Sequence, residues 1–441
     1  MAGLAGLASV ACGATALSPV AHPPAPTTAS RTATTTVDPA PAAPADTTAI
    51  GVMVPGANAH APFDTPRTLR GPAGSSVEVW ARVSGARFET LTPTGDLLVS
   101  ASAEGKILRL HPGIRPSDPP RISTVLSGLS SPQGLAFDHV EGTTILYVVE
   151  ADRVERYRWT GTGVGAAKVI ATLPGPASSP SYDHPLKNVV VGPDHTVYVD
   201  VASSADVAPA DRTASPPRAV IDSFPPDGGG GTLVAQGVRN GDGLAFAPDG
   251  KLWTAVNERD DIAEPNGRVD QSYVNDHPPD ELAVVGGARD LGWPYCNPVQ
   301  GPGPDPYGSM ALQPDAQTNR DGRALDCSTL SPIERGIPAH SAPLGLTFLE
   351  GSGVPRPWRD GAVIGAHGSN DHVPPKPGAV LWAPWRGSTL GPTQGLLEGF
   401  LSPGRDRWGK PVDAVAGADG ALYISDDKAG AIYRMVLPSA G

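Results

Sequence analysis

Short aliphatic runs that alternate with polar positions and break at Asp, Gly or Pro recur along most of the chain. Runs of this kind between turn formers predict β-strands, and no long window carries the 3.6-residue period of an amphipathic helix. The segment ETLTPTGDLLVSASAEGKILRL (89–110) reads as a turn, a strand, a short polar link and a second strand. The same order returns at 134–159, 188–204, 243–261, 345–369 and 413–437.

Leu97, Leu146, Val197, Leu252, Val363 and Leu422 hold equivalent places in these units. Most steps between them are about fifty to sixty residues, and the step from Leu252 to Val363 is roughly twice that. Six small antiparallel units predict radial repetition: an all-β fold, a six-bladed β-propeller of four-stranded antiparallel blades. The double step holds either a degenerate seventh blade or a long insertion between the fourth and fifth repeats. Its turn-rich content, GWPYCNPVQGPGPDPYGSM, favours the insertion.

Composition narrows the partners. The 441 residues include 53 Gly and 50 Pro with 39% hydrophobic residues, which suits many short strands. A net charge of −12 opposes a polyanionic partner, so no nucleic acid is expected. Residues 1–22 are small and apolar and contain no Lys or Arg, as in an export or lipoprotein signal without its basic start. Residues 23–48 form a Pro/Ala/Thr-rich linker, and 49–441 form the propeller domain. The expected location is outside the cytoplasm: extracellular, cell-surface or periplasmic. Cys12 closes the apolar run, where either lipidation or simple cleavage fits, so membrane contact is expected only through a lipid anchor. Cys296 and Cys327 are then available to pair across a loop, which export favours over two free thiols.

Polar clusters stand where strands begin and end. Asp183, His184, Lys187 and Asn188 crowd before the strand at 189, and Arg239 and Asn240 precede the one at 243. Asn257, Glu258 and Arg259 follow a strand, His367 ends another, and Lys410 and Arg87 stand at two more entrances. A propeller gathers such positions at one mouth of its channel. An acidic chain with basic residues there suits a small anionic ligand. Each residue also has a structural reading: a turn histidine, a blade cap, a solvated lysine, an arginine bracing two blades, an ion-pair loop at 257–261.

The residues resemble the soluble quinoprotein sugar dehydrogenases, the glucose/sorbosone dehydrogenase group, from about Pro66 to Leu437. The carrying segments are DH (183–184) before NVVVGPDHTVYV, then VRNGDGLAFAPDGKLWTAVNERDD, DELAVVGGARDLGWPY, LGLTF…GAVIGAHGS (344–369) and GKPVDAVAGADGALYISDDKAGAIYRM. The resemblance implies a propeller holding pyrroloquinoline quinone (PQQ) and Ca²⁺, and oxidation of an aldose or sugar aldehyde by hydride transfer to the quinone. It implies His184 as general base with Asp183 beside it, and Arg239 and Asn240 at the quinone oxygens. Asn257, Lys187, His367 and Lys410 fall at or near cofactor positions, and the backbone carbonyls of Glu258 and Arg259 at the calcium. The partners implied are a small sugar and an external electron acceptor, because no haem attachment motif is present. The chain departs from the pattern at GSNDHVPPKPG, where a cation is missing unless Lys376 replaces it, and at Val412, where glucose enzymes carry a cofactor arginine. Those departures favour the alternative of a non-catalytic cell-surface propeller binding carbohydrate or protein, and the intact Asp183-His184 and Arg239-Asn240 pairs oppose it. A calcium-dependent lactonase would need converging carboxylates that the repeats do not supply.

Overall fold

The computed structural model describes residues 46–176, 182–402, 404 and 406–439; Cys12 lies outside them. Six sheets surround a central channel. Blade 1 is Ala86–Leu91, Leu97–Ala101, Lys106–His111 and Arg121–Ser127; blade 2 is Leu135–Val140, Thr143–Val149, Arg153–Trp159 and Val164–Thr172. Blade 3 is Val189–Val191, Val197–Val201, Val220–Phe224 and Thr232–Gln236, and blade 4 is Gly243–Phe246, Leu252–Val256, Asp280–Val285 and Arg335–Ile337. Blade 5 is Pro343–Phe348, Gly361–Ala366, Ala379–Pro384 and Gln394–Leu397. Blade 6 takes Pro411–Ala416, Leu422–Asp426 and Ala431–Val436 from the end of the chain. Its outermost strand, Ser76–Arg82, comes from the beginning and pairs antiparallel with Ala431–Val436. That pairing closes the ring and covers a sheet edge.

The six equivalent residues all lie in second strands, and all but Leu146 stand opposite the far part of their blade's first strand. The insertion sits where the chain places it, and in the fold it interrupts blade 4, between Val285 and Arg335. Part of it, Arg289–Asp290, pairs parallel with the outer strand of blade 3. The Cys296–Cys327 disulfide, with Cα atoms 5.8 Å apart, staples it. The only α-helix among the described residues is Gln271–Asp276, capped by the Asp270 side chain accepting from the Ser272 N–H.

The core follows from the repetition. Each blade is buried on both faces, so Leu97–Ala101 reads as a wholly buried run. One apolar cluster fills each of the six gaps between neighbouring blades. A seventh, Phe88, Leu344 and Val412, joins the first strands of blades 1, 5 and 6.

Candidate active site at the channel mouth

The first strand of each blade starts at the edge where the second ends, because the two run antiparallel. First strands of adjacent blades pack around a closed ring, so these ends share one mouth. Pairing slips there in three blades, between Ala86 and Glu89, Pro343 and Leu346, and Pro411 and Ala414. Second-strand side chains accept from the backbone N–H groups at this step. Ser100 Oγ accepts from Phe88 (3.0 Å), Ser425 Oγ from Asp413 (3.1 Å), and Asp200 from Asn188. The Gly of the repeated Gly-Leu-x-Phe is required by close approach of the next blade. A Cβ on Gly134 would meet Asn188 Oδ1 at 2.5 Å and the Val189 nitrogen at 2.6 Å.

On the side of blades 3 and 4, His184 lies half-buried before Val189–Val191. Its segment is pinned by the Tyr182 hydroxyl donating to the Ala202 carbonyl (2.5 Å). His184 Nδ1 is 3.1 Å from the Ser203 carbonyl and 3.0 Å from Ser203 Oγ, whose own proton goes to the Ala205 carbonyl. Nδ1 is therefore the donor, and Nε2 keeps its lone pair with no partner among the described residues. Burial, helped by the nearby Arg239 charge, lowers the His184 pKa to about 4, so the imidazole is neutral at neutral pH.

Arg239 is fully buried; it donates to the Asn257 carbonyl (3.1 Å), Asp206 Oδ1 (3.0 Å) and Asp260 Oδ2 (2.7 Å). Its backbone carbonyl accepts from Ser203 N–H at 2.7 Å, tying it to the histidine's partner. Trp293, from the Gly-Trp-Pro-Tyr motif, is buried with its indole N–H on the Asp206 carbonyl (3.2 Å), so it supports the arginine's acid rather than facing a ligand. Trp382 is buried in packing too. The Arg259 guanidinium is held by Asp315, Gln317 and the Asp261 carbonyl. Burial pushes the Glu258 carboxyl up to about 8 against the pull of Arg239.

Across the mouth a hydrogen-bonded chain touches all six blades. His367 Nε2 meets Asp427 Oδ1 (3.0 Å), Asp427 Oδ2 meets Arg87 (2.9 Å), and Arg87 donates twice to Gln133 Oε1 (3.1 and 2.9 Å). Gln133 Nε2 reaches Asp242 Oδ1 (3.2 Å), and Asn188 Nδ2 reaches the Asp242 carbonyl (2.6 Å). Arg87 thus braces blades 6 and 2, the structural reading of that residue. Desolvation lowers the His367 pKa to about 4, while His367 and Arg87 hold Asp427 well below the usual carboxylate range against the cost of its burial. The Lys410 ammonium has no hydrogen-bond partner among the described residues. Burial first, then Arg407, Lys428 and Arg87, lower its pKa against Asp427.

Three expectations change. Lys187 does not reach the mouth: its ammonium is buried and donates to the Ala151 (2.8 Å) and Pro185 (2.9 Å) carbonyls, so it ties loops together rather than binding cofactor. Asp183 does not orient His184: it is exposed, among the described residues it is bonded only through its N–H to the Ser204 carbonyl, and Ser203 takes that place. Lys376 does not replace the missing cation, because its ammonium is held by the Pro338 and Ala339 carbonyls. The structure does bring His184, Arg239, Asn240, Asn257, Glu258 and Arg259 together, and places His367 beside the residues that shift Lys410. Ser203, Asp206, Gln133, Asp242 and Asp427 were missed. Gln133 and Asp242 were legible, since both precede Gly-Leu-Ala-Phe in their repeats; Asp206 sits in an irregular loop with no pattern to mark it.

The residues fit a cation and an anionic ring system. The carbonyls of Glu258 and Arg259 and the Asn257 side chain accept no hydrogen bond among the described residues, leaving three oxygens of the kind calcium takes. The buried Asn240 Oδ1 is also unpartnered, and the free Lys410 ammonium suits a carboxylate.

Fold and mouth together define a six-bladed propeller with a half-buried, neutral histidine and an uneven distribution of paired and unpaired charge around its channel mouth. A family model described as TrAA12-like matches residues 94–437, and the chain belongs to that family. Among solved structures it is similar to the PQQ domain of pyranose dehydrogenase from Coprinopsis cinerea in its holo form. The TM-score is 0.69 with 19% identity, over 84% of this chain and 97% of that one. It is similar to the calcium structure of the Trichoderma reesei carbohydrate-active enzyme of family AA12 (TM-score 0.69, 19% identity, 83% and 96% covered). A third is the PQQ-bound aldose sugar dehydrogenase of Streptomyces coelicolor (TM-score 0.51, 17% identity, 83% and 99%). A curated but uncharacterized protein of Borreliella burgdorferi is 28% identical over 207 residues, 46% of this chain and about half (48%) of that protein.

Proposed function

We propose that the protein is a quinoprotein oxidoreductase that oxidises an aldose or related sugar with PQQ and Ca²⁺ bound at the channel mouth. The observation that carries this reading is a neutral, oriented histidine with a free Nε2 standing across from the unpaired Lys410 ammonium. Asn240, Arg239 and Lys410 would hold PQQ, and Asn257 with the Glu258 and Arg259 carbonyls would hold Ca²⁺. When bound, the quinone supplies the two-electron oxidant that accepts the substrate's hydride.

The chain's own groups supply the rest. His184 Nε2 accepts the hydroxyl proton of the carbon being oxidised, so C–OH becomes C=O as the hydride leaves. Ser203 keeps the ring turned and, through its carbonyl, stabilises the imidazolium once formed; the nearby Asp206 charge acts in the same direction. Arg239, clamped by two acids, is a fixed dipole rather than a mobile charge, which suits preorganised stabilisation of developing negative charge. Electrons then pass to an external acceptor.

The test uses the full chain stripped of metal. Ca²⁺ and PQQ are added while absorbance is followed, and a panel of pyranoses is then offered with an artificial acceptor dye. Saturable PQQ binding at micromolar concentration with sugar-dependent dye reduction is expected. Absence of PQQ binding would overturn the reading and leave a non-catalytic propeller.

A further inference from the structure

A second candidate site lies on the outer wall, between blades 2 and 3, lined by none of the mouth residues named above. Alternation along Val220–Phe224 sends Val220, Asp222 and Phe224 to one face of blade 3. Val220 and Phe224 join the apolar cluster with Ile170, Ala171 and Leu173 of blade 2. Asp222 stands between them at a position the pattern reserves for an apolar side chain. It is 8% exposed, and its carboxylate forms no hydrogen bond or ion pair among the described residues. Its backbone stays in the sheet, opposite Val199 on one side and Leu233 on the other, with a slip in register just before it. An unpaired acid in the interior is costly, and burial alone raises the Asp222 pKa.

The acid borders a cavity of about 370 Å³, within the roughly 300–1,000 Å³ common for small-molecule pockets. The walls include Leu173, Val201, Pro216, Pro217, Phe224 and Leu233, and among the described residues Asp222 is the only charged side chain on them. That chemistry discriminates among ligands. A divalent metal ion needs several oxygen ligands, which these walls lack. A neutral sugar needs many hydrogen-bonding groups, and the described lining side chains offer only the Thr172 hydroxyl besides the acid. A single positive charge on an apolar body matches both the lone carboxylate and the hydrocarbon around it.

We propose that this cavity binds a small organic ammonium, a protonated amine on an apolar frame, with the ammonium paired to Asp222 and the frame packed against Phe224, Leu233 and the two prolines. The site needs no quinone, so it stands or falls independently of the proposed activity.

The test is titration of the full chain, without PQQ, with benzylammonium and separately with its neutral counterpart benzyl alcohol, followed by calorimetry. Saturable benzylammonium binding is expected at millimolar concentration or below, at least tenfold tighter than benzyl alcohol. It should weaken about tenfold to a hundredfold in Asp222→Asn, the range of one charge-assisted hydrogen bond. Leu233→Trp, which fills the cavity and leaves the acid in place, should abolish it. The proposal is overturned by no saturable binding, by equal affinity for the amine and the alcohol, or by undiminished binding in folded Asp222→Asn. If that variant does not fold, undiminished affinity in Leu233→Trp overturns it instead.

Discussion

Between blades 3 and 4 every cation at the mouth already has its counter-charge. Among the described residues Arg239 holds Asp206 and Asp260, and Arg259 holds Asp315; Lys187 lies away from the mouth on two carbonyls. Between blades 5, 6 and 1, Arg87 and His367 share the acid Asp427, while Lys410 beside them has no hydrogen-bond partner among the described residues. The contrast teaches where to look for a ligand's charge. Paired cations position groups and resist change, because breaking a buried pair strands the survivor. Unpaired cations that depress one another's protonation gain most when an anion arrives. Under the function proposed above, the blade 3–4 side would carry the proton transfer and the blade 5–6–1 side would offer the unpaired charge for the cofactor's carboxylate.

The comparison can be broken at three points. The largest expected effect is on the chemical side: His184→Ala should lower kcat for dye-linked sugar oxidation by about 10²–10⁴-fold, the usual worth of a general base. PQQ affinity should stay within a few fold. A loss confined to PQQ affinity with kcat retained would move His184 to the binding side.

The next separates two lysines that look alike in sequence. Lys410→Met should weaken PQQ binding about tenfold to a hundredfold, as loss of one charge-assisted bond does, and leave the melting temperature nearly unchanged. Lys187→Met should do the reverse, because it leaves two buried carbonyls without a donor and removes the cation near Asp200 and Asp242. Equal effects on affinity from the two variants would erase the distinction drawn between them.

The smallest concerns pH. His184 is lowered from 6.5 to about 4 in the folded protein. A depressed histidine favours the neutral form in the fold, so its stability penalty is absent above pH 6.5, grows as pH falls, and is complete below about 4. The acid limb of kcat/KM should therefore lie near pH 4. A limb at 6.5 that vanishes in a non-titrating variant would show the ring to be more solvated than its surroundings imply.

Much of the molecule was legible in advance because a propeller repeats itself. Six turn-and-strand units with equivalent residues in second strands specify six blades, since a strand buried on both faces is largely apolar, with its few polar residues hydrogen-bonded. The Asp-His, Arg-Asn and Asn-Glu-Arg clusters were legible as neighbours because antiparallel pairing carries strand starts and strand ends to the same edge. The closing strand Ser76–Arg82 was not, because nothing in a strand's composition says that its partner lies at the other end of the chain.

By itself, then, the chain's pattern determined the number of blades, the site of the insertion and the loops that meet at the mouth. These follow from local periodicity and turn chemistry, which act between near neighbours in sequence. The partner of each polar group was decided only in three dimensions. Asp183 and Ser203 are both polar residues near His184, and Lys187 and Lys410 both precede a first strand. What separates them is which carbonyl or carboxylate the folded backbone brings within about 3 Å, the length of a hydrogen bond. A buried charge must be satisfied by whatever is there, so its role is set by its surroundings and not by its type.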